Sequence, residues 1–242
     1  MVTAPALTAL GGAAELTDVP VFVVSQLVMN TVTGFNIHRG CLAIGERGAP
    51  LDWRALTARA HRLVILERLA NADNVGAIFR NAAAFGVDAV LLGPDCTDPL
   101  YRKATRTSMA ATLTIPFARV DVDADAIGAN AAPWPEALRL LRTDGFHVMA
   151  LSPWADAPPL RAVITSGLLR QAPDSSGPFR GTRPAKSRVA FVVGHEGEGL
   201  TREALEACDT VARIPMVPGH DSLNVATAVG IALYELFTIH HS

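Results

Sequence analysis

Residues 189–230 read VAFVVGHEGEGLTREALEACDTVARIPMVPGHDSLNVATAVG, and the rest of the chain is organised around them. Val189 to Val193 is an unbroken apolar run, the pattern of a strand buried on both faces. It runs into Gly194-His195-Glu196-Gly197-Glu198-Gly199, where three glycines in six residues let backbone amides approach a ligand that a Cβ would hold off. Thr201 reads as an N-cap and Ala204 and Leu205 as the start of a helix. Val211 to Ile214 reads as a second short strand, stopped by Pro215. Pro218-Gly219 marks a turn, and Ser222 to Leu236 an apolar helix. Two glycine-bearing loops, each after a buried strand, predict a small-molecule site at strand C-termini.

Working outward, Arg62–Leu66, Ala89–Leu92, Leu113–Pro116 and His147–Leu151 read as further strands. Helical patterns fall at Asn74–Phe85, stopped by Gly86, in the second half of Asp98–Ala111, and at Pro135–Arg142, stopped by Gly145. Strands alternating with helices predict an α/β fold with a parallel sheet. Upstream, Val21–Val24 and Cys41–Ile44 read as strands, Ser25 as the cap of a short helix through Thr31, and Leu51–Ala60 as a linking helix. Residues 1–19 are expected to hold at most a loose helix. Residues 165–188, rich in Gly, Pro, Ser and Arg, read as a mobile insertion. No internal repeat is visible.

The 242 residues give room for one large domain, or a medium one with a small partner. No apolar run has the length to span a bilayer, and the first twenty residues lack the basic start and long apolar stretch of a signal peptide. The three cysteines, Cys41, Cys96 and Cys208, are odd in number and scattered. That argues against a disulfide framework or zinc knuckle, and the expected location is the cytoplasm. The formal net charge is −2; any nucleic-acid surface must be a local basic patch.

Three motifs together resemble the SpoU (TrmH) branch of the SPOUT RNA methyltransferases. GHEGEGL and IPMVPGHDSLNVATAVG match the second and third motifs of that family. Asn74-Val75-Gly76-Ala77-Ile78-Phe79-Arg80-Asn81-Ala82 matches the first, an Asn-x-Gly-x-x-x-Arg pattern. They occur in the family's order within residues 61–242, the expected methyltransferase domain. The GFNIHRGCLAIGER stretch resembles the end of the ribosomal-protein-like RNA-binding domain that precedes it in relatives, so residues 1–55 are expected to be a short, incomplete α/β version. The resemblance implies a Rossmann-like sheet with a C-terminal trefoil knot, a homodimer with its site near the subunit interface, S-adenosylmethionine as cofactor, and transfer of methyl to a ribose 2′-hydroxyl of rRNA or tRNA. It implies no metal.

The same resemblance assigns Gly194, Ile214, Met216 and Leu223 to the cofactor. Arg80, Asn74, Glu196, Ser222 and Asn224 are assigned to catalysis. Two roles stand open for Arg80: general base, as some accounts of the family have it, or clamp on the phosphate beside the target ribose. A guanidinium stays protonated, which weighs against the first. Glu196 is expected to bond backbone or Asn74, and Ser222 to cap the last helix, act in the site, or both. Arg102, Lys103 and Arg106 beside Tyr101 suit a phosphate track, extended by His38 and Arg39, and equally a solvated helix face. Where relatives read Ser-x-Gly-Ala, this chain has Ser108-Met109-Ala110-Ala111, with alanine in place of glycine.

Two other readings compete. An NAD-binding oxidoreductase would carry G-x-G-x-x-G in its first βα turn; here the order is G-x-x-G-x-G and lies near the C-terminus. A non-catalytic RNA-binding protein would not need Asn74, Arg80, Glu196, Ser222 and Asn224 together.

Overall fold

Six strands, β1 (Arg62–Leu66), β2 (Ala89–Leu92), β3 (Phe117–Arg119), β4 (His147–Leu151), β5 (Val189–Val193) and β6 (Thr210–Ala212), form one sheet in the order β3-β2-β1-β5-β4-β6. Every pairing is parallel, with Val64 beside Val90 on one side and Phe191 on the other. The computed structural model describes residues 1–11, 19–120, 134–166 and 187–241. The chain divides into two compact units, Met1–Ala49 and Pro50–Ser242.

In the second unit, both faces of the sheet are covered, which is why residues 63–66 and Val189–Val193 are unbroken apolar runs. Val64, Leu66, Phe191 and Val193 face one core. It is completed by α4 (Ala72–Ala84), α7 (Leu160–Thr165) and α9 (Val225–His241). Leu63, Ile65, Ala190 and Val192 face the other. There the cover is α3 (Trp53–Ala58), α6 (Glu136–Thr143) and α8 (Arg202–Ala207). The expected linking helix is therefore part of this unit: Asp52 caps α3 by accepting from Arg54 N at 2.9 Å, and Trp53 is buried in the core.

α5 (Arg102–Thr107) packs against α4 at Gly76. A Cβ there would stand 2.0 Å from Thr107 Oγ1 and 2.5 Å from the Ala104 carbonyl. The glycine of the first motif is thus a packing requirement. After α5, Met109 and Ala110 take positive φ, 52° and 68°. They turn the chain into a 3₁₀ turn at Ala111–Leu113, so the strand expected at Leu113–Pro116 is displaced: pairing begins at Phe117. Helix α7 has no counterpart among the expected helices, because its six residues are too few to show a helical period. The rest of the predicted insertion, 167–186, lies outside the described residues.

The first unit carries α1 (Ala4–Ala9) and α2 (Gln26–Thr33), the latter capped by Ser25 and ended by Gly34 at φ 75°. The strands expected at Val21–Val24 and Cys41–Ile44 are single bridges: Val2 pairs with Val23 and with Cys41. Among its described residues, Val2 and Met29 are the buried large apolar side chains, while Phe22, Leu27, Val32 and Ile44 are exposed.

Candidate functional site

The C-terminal ends of β4, β5 and β6 surround a cavity of about 500 Å³. Gly194, Ile214, Met216 and Leu223 line it, all four residues expected at the cofactor. Glu196, Ser222 and Asn224 line it too. Leu151, Ser152 and Pro153, at the end of β4, form a wall that sequence reasoning missed. The available signal was that β4 ends beside β5, so its C-terminus opens on the same cleft.

The loop after β5 is folded back on itself. Gly199 N donates to the His195 carbonyl at 2.9 Å, and the two ends pass so closely that a Cβ on Gly194 would lie 2.5 Å from the Gly199 oxygen. His195 Nδ1 accepts from Gly197 N at 3.0 Å and Glu198 N at 3.2 Å, so that nitrogen is an acceptor in the loop. The second loop, after β6, is tied to α7 by Leu160 N, which donates to the Arg213 carbonyl at 2.8 Å.

Three of the five expected catalytic residues meet. Asn74, buried near the start of α4, donates its amide to Glu196 and accepts from the Asn224 amide at 2.9 Å. Asn224 Oδ1 in turn accepts from Ala226 N at 2.9 Å and Thr227 N at 3.3 Å, which makes Asn224 the cap of α9. The cap expected at Ser222 therefore falls two residues later, and the helix starts at Val225. Ser222 is exposed at the cavity wall. Asn74 shows why a helix-interior amide is kept: one oxygen and one NH₂ serve a donor on one loop and an acceptor on the other.

Arg80 is not in this group. It is exposed on α4, does not line the cavity, and makes no hydrogen bond or ion pair with the described residues. Its neighbour Asn81 faces inward and donates to the Ala226 carbonyl at 2.8 Å. Arg102, Lys103 and Arg106 are exposed on α5, and Lys103 pairs with Asp73 at 2.7 Å. His38 and Arg39 are exposed in a turn of the first unit.

No group of three or more His, Cys, Asp or Glu placed to hold a metal occurs among the described residues. Nor, among them, is any helix long and apolar enough to cross a membrane. Burial, with Asp209 adding to it, pushes the Cys208 thiol up to about 12, which favours its neutral form.

An all-parallel sheet opening its strand ends on such a cleft defines an α/β protein of the ligand-binding kind. The profile of the SpoU rRNA Methylase family matches residues 61–234. The chain belongs to that family.

A relative from Mycobacterium tuberculosis, an uncharacterized tRNA/rRNA methyltransferase, is 39% identical over 216 residues, 89% of this chain and 65% of the relative. The chain thus spans about two thirds of the length of such relatives. The 23S rRNA (guanosine-2′-O-)-methyltransferase RlmB of Nitrosomonas europaea is 31% identical over 232 residues, 94% of this chain and 76% of that protein. The crystal structure of an AdoMet-bound rRNA methyltransferase from Sinorhizobium meliloti superposes with a TM-score of 0.69 at 24% identity, over 97% of this chain and 78% of that one. At that identity the likeness bears on the fold alone.

Proposed function

We propose that this protein is an S-adenosylmethionine-dependent methyltransferase acting on a ribose 2′-hydroxyl of rRNA or tRNA. The observation that carries the reading is the Asn74 relay, which binds three separated motifs around one cavity. Family membership and the RlmB likeness support the reaction class.

The cavity suits the cofactor. Its volume lies within the range of small-molecule pockets, its walls carry Leu151, Ile214 and Leu223 for a flat apolar ring, and Gly194 lets the returning Gly199 backbone close up against the end of β5. When bound, S-adenosylmethionine supplies a methyl group on a sulfonium that already carries its leaving group. The protein's task is then alignment and exclusion of water. Glu196 and Asn224 fix the loops through Asn74. In this reading Ser222, exposed at the wall, bonds the incoming hydroxyl. Arg80, always charged and without a partner among the described residues, is suited to grip a phosphate with two N–H groups; the hydroxyl proton leaves to that phosphate or to water.

Arg80 stands off the cavity of its own subunit, which supports a homodimer in which one subunit holds RNA at the other's cofactor. A trefoil knot holding the two loops together is part of the same reading, supported by their joint lining of one cavity. So are an RNA-binding role for residues 1–55, with His38 and Arg39 among its contacts, and a phosphate track of Arg102, Lys103 and Arg106.

The test is transfer of labelled methyl from S-adenosylmethionine to total RNA, with 2′-O-methyl positions mapped in cells with and without the protein. The expected result is at least one ribose methylation that depends on it. Cofactor binding without any dependent methylation would instead favour an RNA-binding protein that keeps the fold.

A further inference from the structure

The return leg of the 194–201 loop is held by two consecutive residues that follow β1. Glu67 is fully buried, 0% exposed, in an otherwise apolar layer. A buried carboxylate persists only where donors surround it. Three do. The backbone N–H of Thr201 lies at 2.8 Å from one oxygen. The Thr201 hydroxyl, at 2.6 Å, and the Trp134 indole donate to the other. Thr201 is also the cap of α8, its hydroxyl oxygen accepting from Ala204 N at 3.3 Å. Arg68, next in sequence, holds φ at 53°, a conformation uncommon for a residue with a Cβ. From there its guanidinium meets Glu198 at 2.9 Å and the Gly199 carbonyl at 3.5 Å. Glu67, Arg68, Trp134 and Thr201 stay outside the cavity wall; Gly194, Gly197 and Gly199 form part of it.

We propose that Glu67 is a positioning residue. It fixes where the loop rejoins the body of the protein, and so sets the width of the cavity that receives S-adenosylmethionine. The identity of that ligand rests on the function proposed above; the loop geometry does not. An amide cannot replace the carboxylate here. Both oxygens face donors: glutamine must turn its NH₂ either toward the Thr201 N–H or toward the indole N–H and the Thr201 hydroxyl together, so a bond donated by Thr201 is forfeited either way.

The experiment is amide hydrogen exchange over residues 194–201 of the unliganded protein, with calorimetry of S-adenosylmethionine binding, on wild type, Glu67→Gln, Thr201→Val and Trp134→Phe. Glu67→Gln is expected to speed exchange in the loop about tenfold while β5 stays protected, and to weaken binding about tenfold, roughly 1.4 kcal/mol. Thr201→Val should do the same to a smaller degree. Trp134→Phe leaves both Thr201 bonds in place and should lower the melting temperature while moving neither readout. Wild-type exchange in Glu67→Gln overturns the proposal. So does an equal effect in Trp134→Phe, since the loop would then be responding to general loosening. If Glu67→Gln fails to fold, Thr201→Val decides by the same two readouts. If wild type does not bind S-adenosylmethionine, the proposed function falls, and loop exchange alone decides the role of Glu67.

Discussion

Asn224 donates its side-chain amide to Asn74 Oδ1 at 2.9 Å, across 150 residues of chain. The oxygen of the same Asn224 side chain caps α9. One side chain thus starts the last helix and locks it to the first motif, and the two roles separate by substitution. In Asn224→Asp a carboxylate still accepts from Ala226 N and Thr227 N, but it sets an acceptor against Asn74 Oδ1. Stability should stay within about 1 kcal/mol of wild type, while methyl transfer falls at least about tenfold, or 1.4 kcal/mol. Urea unfolding and a transfer assay on one preparation measure both. Wild-type transfer in this variant would reduce Asn224 to a cap.

Gly194→Ala forces a methyl group to within 2.5 Å of the Gly199 carbonyl. Backbone has to move, and overpacking of this kind costs about 1–3 kcal/mol. The loop that moves is the cavity wall, so binding of S-adenosylmethionine should weaken more than tenfold. Calorimetry checks it, and an unchanged affinity would mean the loop yields away from the site.

Arg80→Ala should leave unfolding unchanged, because Arg80 has no partner among the described residues to lose. Transfer should fall about a thousandfold, roughly 4 kcal/mol, with cofactor affinity spared. Arg80→Lys should not restore it, since lysine keeps the charge and loses the fork. Single-turnover rates at saturating cofactor decide the matter; alanine activity within a few-fold of wild type sinks the assignment.

The fold is legible in the sequence where periodicity is strong. Arg62–Leu66, Ala89–Leu92, His147–Leu151 and Val189–Val193 stand where expected, because a strand covered on both faces carries an almost unbroken apolar run. It is illegible where the chain turns on backbone conformation. Ser108-Met109-Ala110-Ala111 contains no glycine of its own to mark two successive positive φ angles, so the apolar pattern places the next strand too early. The site shows the same division. Gly194, Ile214, Met216 and Leu223 line one cavity at the strand ends, where two glycine-bearing loops after buried strands predict a pocket. Glu67 looks in sequence like one more charge at the end of a strand, since only the tertiary fold brings Thr201 and Trp134 to it.

Ala110 carries φ 68°, in the left-handed region that favours glycine. Ala110→Gly should relieve that strain and raise stability by about 0.5–1 kcal/mol, even after the extra freedom glycine brings to the unfolded chain. Thermal or urea unfolding reads the change, and a loss of stability would show that the local packing of the alanine methyl outweighs the strain.

Replacing Arg102, Lys103 and Arg106 by glutamine should weaken RNA binding and flatten its salt dependence, by about one unit of slope for each phosphate that is no longer neutralised. Lys103 already pairs with Asp73, so its share should be the smallest. Affinity for S-adenosylmethionine should hardly change. Binding titrations across a salt series test this, and an unmoved slope would place the RNA track elsewhere.

The strand order carries a consequence for how the molecule is made. β1 finds β2 within a few tens of residues, but its other edge belongs to β5, more than 120 residues further along. Until that segment leaves the ribosome, RLVIL presents a bare row of amides and carbonyls beside an apolar face, the kind of edge that recruits foreign strands. The central seam of the sheet and the Asn74–Glu196 clasp, itself spanning 122 residues, close in the same late event. A nascent chain halted before β5 would hold its first motif ready and have nothing to fasten it to.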